Sequence, residues 1–150
     1  MEEAKVYKVV RVLEKDGETH YQSAWVENIE LIEEYALGKE TVPQIGRVFV
    51  FSNPNDARTW AHTQLITNDR TKKWAVLTYL AKGIVPAPRF IPIVKVCDIY
   101  SLEIFWETDA LMPEDAYNVQ RAPDGTLLAE SVTPIEVYVD LSDNQYNWEA

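Results

Sequence analysis

Apolar residues fall in short β-prone runs along most of this chain. The run at residues 6–13 leads into a turn-forming sequence at 15–18, and another apolar stretch follows at 21–26. This order predicts a β-hairpin. The wholly apolar run at 48–51 predicts a short buried strand, and the longest run, 74–81, predicts a strand buried on both faces.

A helix-start signal follows the run at 48–51. Asn53 suits the cap position, Pro54 suits the first turn, and Asp56 stands three residues after the cap. Small and apolar residues then recur at helical spacing and define one face: Ala57, Trp60, Ala61 and Leu65. The pattern predicts a helix that ends near residues 67–69 and connects two strands as a crossover.

The remaining segments carry weaker patterns. Residues 30–37 predict a short helix that ends at Gly38. Prolines at 86, 88 and 92 predict an extended, edge-like stretch. A turn at 122–125 precedes two strand pieces, 126–132 and 135–139, which we expect Pro134 to separate.

These elements predict one α+β domain over residues 1–150. We expect a twisted mixed or antiparallel sheet of five to seven strands with two or three helices. The chain has 150 residues, which suffices for one core. The polar segment at 142–150 predicts a loosely ordered acidic tail.

Net charge is segregated along the chain. Residues 1–100 carry 13 acids and 13 bases, whereas residues 101–150 carry 11 acids and the single base Arg121. A local negative field repels nucleic-acid backbones and favours basic partners. We therefore expect no direct binding to nucleic acid.

Composition excludes several classes of site and enzyme. Cys97 is the only cysteine, so no internal disulfide forms, and His20 and His62 are the only histidines, so we expect no metal site. Five glycines leave no phosphate-binding loop of the kinase or Rossmann type. No apolar run is long enough for a membrane span and no export signal is visible, so we expect a cytoplasmic protein without membrane partners.

The residue types and their order at three positions resemble those of the ADP-ribosyltransferase-like superfamily. Arg11 ends an opening strand, and Glu130 lies near the end of a late strand. Either Phe49 or Phe51 supplies an aromatic ring on the strand before the helix, where the superfamily commonly has Tyr. In that superfamily, such positions hold the NAD ribose, stack on nicotinamide and supply the catalytic carboxylate. The resemblance implies an ADP-ribosyltransferase-like fold with Glu130 as catalytic residue and NAD as cofactor, or a degenerate relative that binds a nucleotide-type ligand without turnover.

The acidic, aromatic-rich composition also resembles that of small bacteriophage proteins. Aromatic residues lie among the acids of the last third and can anchor a protein partner. The interface residues that we predict there are Glu103, Trp106, Glu107, Asp109, Glu114, Asp115 and Trp148. Their charge would compete for lysine and arginine groups that normally hold phosphates.

Two functions follow from these patterns. The first is a non-catalytic phage-type binding protein without a cofactor, active inside a bacterial host cell in counter-defence or host takeover. It binds a basic host protein through its acidic third, or a nucleotide-type small molecule through Arg11, Phe49 and Phe51 in a sheet cleft. The alternative is an NAD-dependent ADP-ribosyltransferase. Sequence does not indicate the oligomeric state.

Overall fold

The computed structural model describes residues 3–24, 33–43, 47–66, 72–92 and 119–141. This part of the chain contains one short α-helix, α1 (Pro54–Trp60), which continues as a π-helical segment, Ala61–Ile66. Its strands are β1 (Glu3–Lys15), β2 (Glu18–Ser23), β3 (Val48–Phe51), β4 (Lys73–Lys82), β5 (Val85–Pro86), β6 (Phe90–Pro92), β7 (Val119–Arg121), β8 (Thr126–Ala129) and β9 (Ser131–Asp140).

Seven strands form one antiparallel sheet that is not closed into a barrel. Their order is β5-β8-β3-β1-β4-β9, and β2 pairs with β1 beside β3. Strands β6 and β7 form a separate pair. Both β3 and β4 run antiparallel to β1, so α1 connects two strands of the same direction across β1. The predicted α+β class, strand number and crossover are confirmed.

The hairpin of β1 and β2 also forms as predicted. Asp16 and Gly17 have φ angles of 55° and 80°, respectively. Positive φ at both central residues gives a turn whose twist matches that of the paired strands. The turn sets a register in which Lys15 pairs with Glu18 and Val10 with Ser23.

The start of α1 follows the predicted capping pattern. The Asn53 side chain accepts a hydrogen bond of 2.9 Å from the backbone N–H of Asp56, and Pro54 occupies the first turn. The Asn53 amide also donates to the Asp56 carboxylate at 2.6 Å. Ala57 and Ala61 are fully buried against the sheet, so the predicted helix face is confirmed at these two positions.

The sheet buries apolar residues on both faces. One face, called here the inner face, carries Val6 and Val10 of β1 and Leu77 and Tyr79 of β4. The opposite face lies under α1 and includes Val9, Phe51, Ala57, Ala61, Trp74, Val76 and Leu141. A third cluster places Ile91 against Leu128. Successive residues of β4 are therefore buried on alternate faces, as its unbroken apolar run predicts.

Two local predictions are wrong. Residues 33–37 are not helical. Glu34 forms a β-bridge with Gln22 of β2, and the backbone N–H of Tyr35 donates to the backbone oxygen of Tyr21. This tertiary pairing overrides helical propensity, and the described part of the chain has one short α-helix rather than two or three. Pro134 does not interrupt a strand, because it lies within β9 at an irregular position of the ladder.

The segment that contains β8 and β9 pairs with strands on opposite sides of β1. Strand β8 pairs with β3, β9 pairs with β4, and Glu130 alone separates β8 from β9. The sheet therefore curves around the inner face, and the domain is single and compact.

Within the described ranges, no helix is long and apolar enough to cross a membrane. The predicted tail at 142–150 lies outside those ranges.

Candidate functional site

Arg11 lies in the middle of three strands on the face under α1. It pairs with Gln22 of β2 and with Trp74 of β4. Its Nε and the indole Nε1 of Trp74 are both buried, and neither makes a hydrogen bond in the part of the chain described above. Arg11 is therefore the cross-strand neighbour of an aromatic residue, and its Nε makes no hydrogen bond with the described residues.

The two predicted stacking residues are packed within the protein. Phe51 is buried, and its ring centroid lies 5.9 Å from that of Trp60 on α1. Phe49 is half-buried and packs against the cluster of Ile91 and Leu128. Both side chains lie on the same face as Arg11, but their contacts are those of core residues.

Glu130 lies beside the last residue of β4, far from Arg11. Its backbone N–H donates to Lys82 at 2.9 Å, and its exposed side chain covers Gly83. Nearby, Glu40 accepts a hydrogen bond of 3.0 Å from Ser131 and lies 3.3 Å from the Lys82 ammonium. These two partners hold the pKa of Glu40 below its usual value.

Strand register separates Arg11 from Glu130. Arg11 is opposite Trp74, whereas Glu130 is bonded to Lys82, eight positions further along β4. A strand rises about 3.2–3.4 Å per residue, so the two backbone positions lie at least roughly 25 Å apart along β4. A pocket for a small ligand measures about 10 Å across. The structure does not bring these residues together in one cleft of that size.

The predicted interface residues fall outside the described ranges: Glu103, Trp106, Glu107, Asp109, Glu114, Asp115 and Trp148. The described part of the acidic third is residues 119–141. Four acids lie there, Asp124, Glu130, Glu136 and Asp140, together with the single base Arg121.

Strand β9 forms the exposed edge of this acidic region. Ile135, Val137 and Tyr138 are 41%, 39% and 42% exposed, and Glu136 between them is exposed as well. The register of β9 against β4 shifts twice in this stretch, as in β-bulges. Large apolar side chains therefore meet solvent beside a carboxylate.

The outer edge of β9 is covered only at its beginning in the described structure. Thr41 exchanges two backbone hydrogen bonds with Val132, at 2.7 and 3.0 Å, and Gly38 donates to Pro134 at 2.7 Å. Beyond Pro134, no strand among the described elements pairs with this edge. Such an edge can accept an additional strand.

A buried polar cluster on the inner face is a feature that sequence reasoning missed. Lys8 Nζ donates to the backbone oxygen of Phe49 at 2.8 Å and lies 5.9 Å from the centroid of the Tyr35 ring. The Tyr35 ring meets that of Tyr79 edge-on, with centroids 5.6 Å apart. Lys8 alternates with Val6 and Val10, and this position on the buried face was the available signal.

Burial changes the ionisation of this cluster. It lowers the pKa of Lys8 from 10.5 to about 8. It also raises the pKa values of Tyr35 and Tyr79, and the neighbouring Tyr35 raises that of Tyr79 further. At neutral pH, the lysine is mostly charged and the tyrosines are neutral.

The described residues include no group of three or more histidine, cysteine or acidic side chains that could hold a metal ion. No protein-family model, curated protein or solved structure matches this chain.

Proposed function

We propose that this protein is a non-catalytic binding protein that engages a basic protein partner through the exposed part of β9, residues 135–140. The proposal rests mainly on one observation, the exposure of Ile135, Val137 and Tyr138 beside Glu136. The resemblance to small bacteriophage proteins would make the partner a host factor.

Charge supports a basic partner. The last third of the chain has 11 acids and one base, and Glu136 and Asp140 lie on β9 itself. Complementary charge accelerates association and selects among partners. A second copy of this chain would place acid against acid at the same edge, which is unfavourable. A basic, extended segment with apolar side chains fits this edge better.

Apolar contact supports a specific partner. Interfaces depend on a few aromatic and large apolar anchors, and charge at the rim adds little affinity. Tyr138 has its ring centroid 5.5 Å from that of Tyr7, so one side of the ring is held while 42% of the residue stays exposed. A partly fixed aromatic loses less conformational freedom when it binds.

The transferase alternative has less support. Its ligand would have to contact Arg11 and Glu130 together, which the separation of roughly 25 Å along β4 disfavours. Phe51 is also engaged with Trp60. A nucleotide-type ligand bound by Arg11, Phe49 and Phe51 alone remains the second proposal for a small-molecule function, and Arg11 Nε is its support.

A defined probe tests the main proposal. A short fluorescent peptide of alternating lysine and valine should bind, and backbone amide shifts in NMR spectra should map to β9. Binding should weaken steeply with added salt, because exposed charges are screened. The double substitution Ile135→Ser with Tyr138→Ser should reduce affinity at least ten-fold.

Matched controls distinguish the site from general attraction. Val42→Ser removes another exposed apolar residue, 65% exposed, outside the acidic third, and should leave affinity unchanged. A peptide of alternating glutamate and valine should not bind, and neither should duplex DNA at physiological salt. Equal binding of both peptides, or amide shifts confined to residues far from β9, would overturn the proposal.

A further inference from the structure

Lys8 places a cation on the inner face, and none of the described residues supplies an anion beside it. Its Nζ uses one hydrogen for the backbone oxygen of Phe49. Within the described ranges, no carboxylate oxygen lies within the 4.0 Å limit of an ion pair with this nitrogen. A buried ion is unfavourable unless it is paired. The site therefore favours either loss of the proton or arrival of an anion.

Tyr79 adds a second unused donor to the same place. It is fully buried, and its hydroxyl makes no hydrogen bond with any residue described here. Tyr79 pairs with Val6, and Lys8 pairs with Leu77, so the two are diagonal neighbours on one face. Diagonal neighbours are about 7–8 Å apart, within reach of long side chains. Both also contact the ring of Tyr35.

We propose that Lys8 and Tyr79 bind the carboxylate group of a small molecule. One carboxylate oxygen accepts from the Lys8 ammonium and the other accepts from the Tyr79 hydroxyl. A single negative charge balances the single cation, whereas a phosphate dianion would leave one charge unbalanced in an apolar region.

The surroundings define the rest of the ligand. Val6, Val10 and Leu77 belong to the same cluster, so an apolar substituent on the carboxylate would pack against them. Lys8 as a whole residue is half-buried, so part of this residue meets solvent. The ligand class is therefore a small aliphatic monocarboxylate.

Acetate is the probe for this site. It should be titrated into isotope-labelled protein at neutral pH, with chloride replaced so that ionic strength stays constant. Amide signals of Val6, Lys8 and Tyr79 should shift and saturate, with a dissociation constant on the order of a millimolar, as expected for so small a ligand. Inorganic phosphate should bind at least ten-fold more weakly.

Variants separate this site from a general salt effect. Lys8→Met should weaken acetate binding at least ten-fold, and Tyr79→Phe, which keeps the ring, should weaken it several-fold. Lys82→Met should have no effect, because Lys82 is exposed and paired with Glu40. Acetate binding by Lys8→Met at wild-type strength, or no saturable shift in the wild type, would overturn the proposal.

Two further readouts keep the test decisive if Lys8→Met does not fold. Affinity of the wild type should fall as pH rises through about 8, where Lys8 loses its charge. Among the described residues, the titratable groups in the cluster around Lys8 are Tyr35 and Tyr79, which stay neutral there because burial raises their pKa values. Constant affinity across this range, full affinity in Tyr79→Phe, or phosphate binding as strong as acetate binding would each contradict the assignment.

Discussion

The rings of Phe51 and Trp60 lie 5.9 Å apart at an interplanar angle of 45°. Phe51 ends β3 and Trp60 ends α1, so the helix returns over the strand that leads into it. Asn53, which lies between them in sequence, is the N-cap of α1. Aromatic pairs in such tilted arrangements contribute beyond the area that they bury. This contact, with the buried Ala57 and Ala61, fixes the helix against the sheet.

Phe51→Ala should lower the free energy of unfolding by about 3–5 kcal/mol, because a buried aromatic leaves a cavity when truncated. Trp60→Ala should cost about 3 kcal/mol, since Trp60 is half-buried. Urea unfolding measures both. Thr59→Ala, at an exposed position of the same helix, should change stability by less than about 0.5 kcal/mol. A silent Phe51→Ala would show that α1 does not hold this face.

Three of the four described glycines with positive φ predict an ordered series of losses in stability when each is replaced by alanine. Gly17 has φ 80° and open space around it, so Gly17→Ala should cost about 1 kcal/mol from backbone strain alone. Gly83→Ala should cost a similar amount, because the obstructing Glu130 side chain is exposed and can move away.

Gly125→Ala should be the most costly of the three, at about 2–3 kcal/mol. Its new Cβ would clash with the Asp56 carboxylate, which is held by Asn53 in the cap of α1. Displacing a cap costs about 1 kcal/mol in addition to strain. Thermal unfolding of the three variants gives the order. Equal losses of stability in Gly17→Ala and Gly125→Ala would show that the cap of α1 rearranges without a loss of free energy.

Lys8 should make stability rise with pH above about 8. Burial lowers its folded-state pKa from 10.5 to about 8, so between these values the unfolded chain binds more protons. The free energy of unfolding then increases with pH, by at most about 1.4 kcal/mol per unit. Tyr35 and Tyr79, whose pKa values are raised, oppose this only above about 10.

Urea unfolding between pH 7 and 10 measures this effect. The slope should be smaller in Lys8→Met than in the wild type, and Lys82→Met should retain the wild-type slope. Parallel curves for Lys8→Met and the wild type would mean that the Lys8 ammonium is solvated in the folded protein.

NAD should not be consumed by this protein. Arg11 and Glu130 are roughly 25 Å apart along β4, too far to orient one nicotinamide ribose together. NAD should give no nicotinamide release, and Glu130→Gln should match the wild type in stability. If the wild type released nicotinamide and Glu130→Gln did not, the transferase hypothesis would instead be supported.

Local patterns predicted the elements whose signals are complete within a few residues. Three features are each determined by the residues that form them: the turn at Asp16 and Gly17, the cap at Asn53 and the apolar run of β4. The helix expected at 30–37 failed because Glu34 pairs with Gln22, a contact between separate segments. Pairing of that kind is not encoded in periodicity.

The candidate sites were less predictable for the same reason. Arg11 and Glu130 each have the residue type that a ligand site needs, but only strand register gives their separation. Lys8 looked like one polar residue in a mostly apolar strand. Its environment depends on Tyr35 and Tyr79, which come from two other segments.

The passage of residues 126–141 across the sheet also determines when the protein can fold. Each of the three apolar clusters takes residues from this stretch, Ala129 and Val132 in the first, Leu141 in the second and Leu128 in the third. During synthesis, the hairpin of β1 and β2 can form early, but every cluster stays incomplete until this stretch has left the ribosome. Pairings this distant in sequence slow folding, and β4 would expose its apolar run meanwhile. The nascent chain is therefore most prone to aggregate just before residues 126–141 emerge.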